Sequence, residues 1–243
     1  MTKVAKSARI VGILYLLDIL VAPFRLIYIP KVLFVSGNAT VTANNILAHE
    51  SLFRLGIVSD LLCGVIEIFL VLALYQLLKH INRKHAVLMV VLGLMTVPLF
   101  FVNVLNDAAA LVLVRGTEFL SVFDKSQRDA LAMLFLHLHR QENVACEIFW
   151  GLWLLPLAAL VYRSHLLPRF LGVWLAINGL AYLALSAVSI LWPQYEGIVS
   201  TYIFPAQLGE IAFMLWLLIM GAKPRPSAHS DFASNHSHIE TAS

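Results

Sequence analysis

The sequence predicts an all-α polytopic membrane protein, a bundle of six transmembrane helices, on three observations. Sixty per cent of the 243 residues are hydrophobic and only 13% are charged, where a soluble domain carries roughly a quarter charged residues and somewhat under half apolar ones. Apolar windows of about 20 residues, the length that crosses roughly 30 Å of hydrocarbon, recur at 8–29, 55–78, 86–112, 144–162, 170–192 and 203–222. The polar residues inside those windows fall at helical spacing, so they share faces and do not scatter around the helix.

The first window is too long for the apolar core of a cleaved signal peptide, Asp18 interrupts it, and no small-residue cleavage site closes it. It is read as the first of six spans in a single membrane domain, residues 1–222. The tail, 223–243, is rich in Ser, His and Pro, has no apolar stripe, and is read as a disordered cytoplasmic segment. With the N-terminus inside, the inner segments hold ten Lys and Arg residues against six outside, so both termini are expected on the cytoplasmic side.

Two connections on the opposite side are long. In residues 30–53, Thr42 or Asn44 is expected to cap a short helix that leads into the second span. In residues 113–143, Asp124 or Ser126 precedes an apolar run that either lies on the outer face or extends the next span.

The second span, "LGIVSDLLCGVIEIFLVLALYQLL", carries Asp60 and Glu67, although a charge at the bilayer centre costs roughly 2.5–3.5 kcal/mol on insertion scales. Seven residues make two helical turns, so the two carboxyls lie on one stripe with Gly56, Cys63 and Gly64 beside it. Small residues on a helix face let a neighbouring backbone approach, so this stripe faces protein. Asp18 and Arg25 repeat the seven-residue spacing in the first span. Asn103, Asn106 and Asp107 end the third span, Glu147 lies in the fourth, Asn178 in the fifth, and Gln207 and Glu210 in the sixth.

At 1.5 Å per residue, Asp60, Asp107, Glu147 and Glu210 come to lie roughly 5–10 Å below the outer face. The reading is an outward-facing polar pocket for a small molecule or ion. Asp60, Glu67, Asp107, Glu147 and Glu210 would line it, with Arg25 as counter-charge and Asn103 and Asn178 as hydrogen-bonding partners. A purely structural network is the competing reading, although polar contacts between spans average only ~0.6 kcal/mol.

Other chemistries find less support. The formal net charge of +3 is small and its basic residues sit at span ends, which argues against nucleic acid as a partner and leaves membrane lipids and the unknown solute. Cys63 and Cys146 lie far apart in apolar segments with no ligand spacing. No cofactor motif or G-x-S-x-G nucleophile elbow occurs. His137 and His139 in "FLHLHRQEN" are the weak metal candidates; at i and i+2 on a helix they point about 200° apart, so a metal-dependent hydrolase is the alternative to a carrier.

The stretch "IFWGLWLLPLAALVYRSHLLPRFLGVWLAINGLAYL", Ile148 to Leu183, together with "NILAHESLFRLGIVSDLL" and "LGEIAFMLWLLIMG", resembles the bacterial domain-of-unknown-function family 4386. The resemblance spans roughly residues 8–222 and is strongest at Arg54, Asp60, Trp150, Gly151, Arg163, Ser164, Pro168, Arg169, Gly172, Glu210 and Trp216. It implies a six-span protein of the bacterial inner membrane and no particular activity. One departure is the lack of a glycine near Ala158 or Ala159.

Overall fold

The computed structural model describes residues 3–222; the segment 223–243 read as a tail lies outside the described residues. Among the described residues every regular element is helical. Six helical runs are long and apolar enough to cross a membrane: Val4–Leu33, Glu50–Leu78, Arg83–Arg115, Lys125–Ser164, Arg169–Leu191 and Pro193–Ile219, called spans one to six. The two ends of the bundle are named by what joins the spans there. Turns 79–82 and 165–168, with both described termini, form the basal end; connections 34–49 and 116–124 and the junction at Trp192 form the apical end.

Each span packs on its neighbours in the chain, and span one closes against span six. The result is a ring of alternating up and down helices in chain order. Glycines set the closest seams. A Cβ on Gly151 would stand 2.6 Å from the carbonyl oxygen of Gly179, and one on Gly172 would stand 2.9 Å from that of Ala158. Ala158, where a glycine was expected, presents its carbonyl to Gly172 of span five across the seam.

Two apolar clusters bracket the ring. The basal one joins residues such as Leu74, Leu78, Leu157, Leu175 and Phe213. The apical one joins Ile29, Leu33, Ile46, Phe53, Leu111 and Leu136. Between them lies a layer that holds the buried Arg25, Asp60, Asp107, His139 and Asn178.

Local sequence explains three irregularities. Pro30 has no N–H to give the carbonyl four residues back, and the helix widens just before it into a π turn, Phe24–Tyr28, closed by Ile29 N–H on the Phe24 carbonyl. The short apical helix Ala39–Ala48 is capped by Asn38, whose side chain accepts from Val41 N at 3.0 Å. This corrects the expectation of Thr42 or Asn44: Thr42 instead accepts from Val35 N at 2.9 Å, which ties the loop to the short helix that comes after it. Span four is one helix of 40 residues. Asp124 starts it with a capping box, accepting from Gln127 N while the Gln127 side chain accepts from Asp124 N.

Candidate functional site

Every span contributes to a cavity of about 400 Å³ inside the ring. Span one brings Tyr15 and Asp18; span two, Asp60, Cys63 and Glu67; span three, Phe100. Glu147, Trp150 and Trp153 come from span four, Tyr182 from span five, and Gln207 and Glu210 from span six. A second cavity of about 720 Å³ lies on its apical side, with Arg25, Phe34, His137, His139, Asn143 and Glu196 in its wall. Leu26 and Glu147 line both, so the two cavities adjoin there.

The helical register accounts for this placement. Asp60, Cys63, Glu67 and Leu70 follow one stripe of span two, and all four line the deep cavity. The residues between them, such as Leu62, Val65 and Phe69, are exposed on the outside of the bundle. Glu147, Trp150 and Trp153 repeat this on span four at intervals of three, which keeps three bulky side chains on one helix face.

The predicted residues divide into three sets. Asp60, Glu67, Glu147 and Glu210 line the deep cavity. Glu210 is held in place: Tyr15 Oη donates to one carboxylate oxygen at 2.5 Å and Asn178 Nδ2 to the other at 3.0 Å. Asn178 thus orients an acid from behind and does not itself face the cavity; its Oδ1 is buried without a hydrogen bond. One oxygen of Glu147 is likewise buried and unbonded.

Arg25, Asp107 and Asn103 form the second set. Arg25 holds Asp107 with two donors, Nε to Oδ2 at 2.6 Å and Nη2 to Oδ1 at 2.5 Å, and both side chains are almost wholly buried. This two-pronged pairing uses the planar fork of the guanidinium, and Arg25 also stacks over Phe34 at 5.6 Å. Asp107 lines neither cavity. Asn103 donates to the backbone carbonyl of His139 and to Asn143 Oδ1, both at 3.2 Å, so it fixes span three against span four.

The histidines part company as helical spacing requires. His137 is exposed and lies 3.4 Å from Gln141. His139 is buried, with Nε2 3.6 Å from Asp60 Oδ2 and Nδ1 3.3 Å from Asp107 Oδ1. Among the described residues, the donor atoms of Asp60, Asp107 and His139 all lie within 4.8 Å of one another, a spacing one cation would satisfy. Arg25 argues against a dication, because it occupies both oxygens of Asp107 and keeps a full positive charge at the spot.

The sequence reading passed over Tyr15, Trp150, Trp153 and Tyr182 as wall residues. Trp150 falls among the positions that carry the family resemblance, and the i, i+3 run from Glu147 was the signal available. The seven-residue spacing puts Asp18 on one face of span one with Arg25. Asp18 lines the deep cavity, and Arg25, about 10 Å further along the same helix, lines the apical one.

The family described as "Domain of unknown function (DUF4386)" matches residues 10–221. No curated protein and no solved structure matches the chain.

Proposed function

This chain belongs to that domain-of-unknown-function family, and from this premise we propose that it binds a small organic cation in the deep cavity and carries it across the membrane. One observation carries the reading. Five carboxyls, from Asp18, Asp60, Glu67, Glu147 and Glu210, line one cavity of about 400 Å³, and among the described residues no Lys, Arg or His shares that wall. Carboxyls inside a bilayer are costly, and a cation offsets that cost more directly than any neutral solute. Tyr15, Phe100, Trp150, Trp153 and Tyr182 on the same wall offer ring faces, which attract a poorly hydrated cation by roughly 0.5–2 kcal/mol each. The volume falls within the roughly 300–1,000 Å³ of small-molecule sites.

The setting belongs to the same proposal. The excess of Lys and Arg at the basal end supports an orientation in which that end and both termini face the cytoplasm of a bacterial cell. The apical cavity is then the vestibule that opens outward.

Tryptophan fluorescence of the detergent-purified protein tests binding. Tetraethylammonium is expected to quench Trp150 and Trp153 saturably, an uncharged isostere to leave them unchanged, and Glu67→Gln to weaken the response by about tenfold or more. Equal responses to the charged and neutral probes would overturn the reading. Flux of the same cation into proteoliposomes separates a carrier from a binding protein without turnover. Thermal midpoints give an independent check, because neutralising poorly satisfied site groups tends to stabilise a fold. Asp60→Asn and Glu67→Gln should raise the midpoint, and a fall of several degrees in both would favour a structural bundle. Glu210 is outside this expectation because Tyr15 and Asn178 already hold it.

A further inference from the structure

The imidazole of His139 is only 2% exposed, and neither ring nitrogen makes a hydrogen bond. Each nitrogen nonetheless looks at a carboxylate oxygen, Nδ1 at Asp107 and Nε2 at Asp60. A neutral imidazole carries one N–H. With both aspartates ionised, one of the two gaps therefore sets lone pair against lone pair in a buried place, which is unfavourable. A second proton removes that conflict.

Charge balance leads to the same count. Arg25 and Asp107 cancel, which leaves Asp60 as the uncompensated charge of the group. One proton makes the set neutral, whereas a divalent ion would leave it with a net positive charge among side chains that are at most 7% exposed. Burying an uncompensated charge is what such sites avoid.

We propose that Asp60 and His139 form a site for one exchangeable proton, held between His139 Nε2 and Asp60 Oδ2, and that it passes protons between the two cavities. His139 lines the apical cavity and Asp60 the deep one. In one state the imidazole carries both protons, Nδ1–H toward Asp107 and Nε2–H toward Asp60. In the other, the Nε2–H bond has broken, an O–H bond has formed on Asp60, and the neutral ring keeps Nδ1–H toward Asp107. No other reactant is consumed. The groups that face the ring are Arg25 from span one, Asp60 from span two and Asp107 from span three, while Asn103 binds the His139 carbonyl and Asn143 lies one turn further along its own helix. The site gives the cation pathway proposed above a proton to exchange, and it rests on that reading only for its purpose.

The test is infrared difference spectroscopy against pH on the detergent-purified full chain, with carboxyl-labelled aspartate. Acidification is expected to produce a labelled carboxylic-acid band that Asp60→Asn lacks and whose midpoint His139→Gln moves by about one pH unit or more. Asp60→Glu keeps a carboxyl at the position but should lose the labelled band, so the assignment survives if the asparagine variant fails to fold. A band unchanged in both Asp60 variants overturns the proposal, as does a midpoint unmoved in His139→Gln. A stoichiometric divalent ion whose removal lowers the thermal midpoint also overturns it. Fluorescence with tetraethylammonium is read separately. A titrating Asp60 without any cation response sinks the carrier reading alone, and a cation response without the band sinks the proton site alone.

Discussion

Asparagine at position 107 would keep the shape of the side chain and remove its charge, leaving Arg25 buried with no counter-ion in contact. Arg25 is 2% exposed and Asp107 is fully buried, so the loss is that of breaking a buried pair from one side, about 3–5 kcal/mol. At ~2–4 °C per kcal/mol for a chain of this length, the thermal midpoint should fall by roughly 6–20 °C. The reverse substitution, Arg25→Met, is expected to cost less. A guanidinium cannot give up its proton, whereas a stranded Asp107 can take one up and has His139 Nδ1 at 3.3 Å. The double variant Arg25→Met with Asp107→Leu removes both charges and should recover to within about 2 kcal/mol of the parent. A thermal scan of the three proteins in one detergent checks the order. A midpoint for Asp107→Asn within about 2 °C of the parent, or a larger fall for Arg25→Met than for Asp107→Asn, would refute the argument that this pair is held by mutual charge compensation.

Three other expectations follow from contacts elsewhere. Gly151→Ala places a methyl 2.6 Å from a backbone carbonyl oxygen that cannot move aside alone. It should destabilise by about 1–3 kcal/mol, while Gly197→Ala, which meets nothing within 4 Å, should leave the same thermal scan unchanged. Tyr15→Phe removes the 2.5 Å bond to Glu210 and leaves that carboxyl to Asn178 and Tyr182, a loss of about 1–3 kcal/mol readable as a lower midpoint; an unchanged midpoint would mean that the hydroxyl is not holding Glu210. At the apical surface, the Gln127 backbone N–H, followed by the Ser126 hydroxyl, holds the Asp124 carboxyl below its ordinary value. A depressed folded-state value means stability that is present above the unfolded aspartate range and lost as pH falls through the folded value. Protection of the amides at the start of span four, read as exchange relative to the intrinsic rate at each pH, should therefore fall in acid, and Asp124→Ala should abolish that acid-dependent change.

The spans and the inward stripe of span two were legible because bilayer thickness and helical period act locally. Asp60 and Glu67 both face the cavity for no other reason than seven residues of α-helix. What was not legible depended on backbone events or on partners distant in sequence. The π turn at Phe24–Tyr28 has no signal in the apolar pattern, and shared spacing alone did not show that Arg25, about 10 Å beyond Asp18, reaches the apical cavity. Pairing of Arg25 specifically with Asp107, across 82 positions, needs the ring closure of spans one to three. The aromatic wall was hidden by its own abundance: in an apolar helix a tryptophan reads as lipid-facing or core until the neighbouring spans are in place. Asn38 was missed as a cap because the apolar run after it is short and Thr42 offered an equally good signal.

The 40-residue helix of span four carries a mechanical consequence. His139 stands in the wall of the apical cavity, Glu147 at the junction and Trp153 in the deep wall, all on one rod with a fixed rise of about 1.5 Å per residue. That rod works as a ruler: the apical wall at His139 and the deep wall at Trp153 keep their separation of roughly 20 Å. It is further pinned to span five where Gly151 and Gly179 meet. Any change in the bore has to come from walls free to slide along the ruler. Spans one and six fit that description, since only 22% of the most apolar window of each is buried within the protein. Their outer faces answer to the lipid, so the width of the two adjoining cavities is partly a property of the bilayer in which the ring stands.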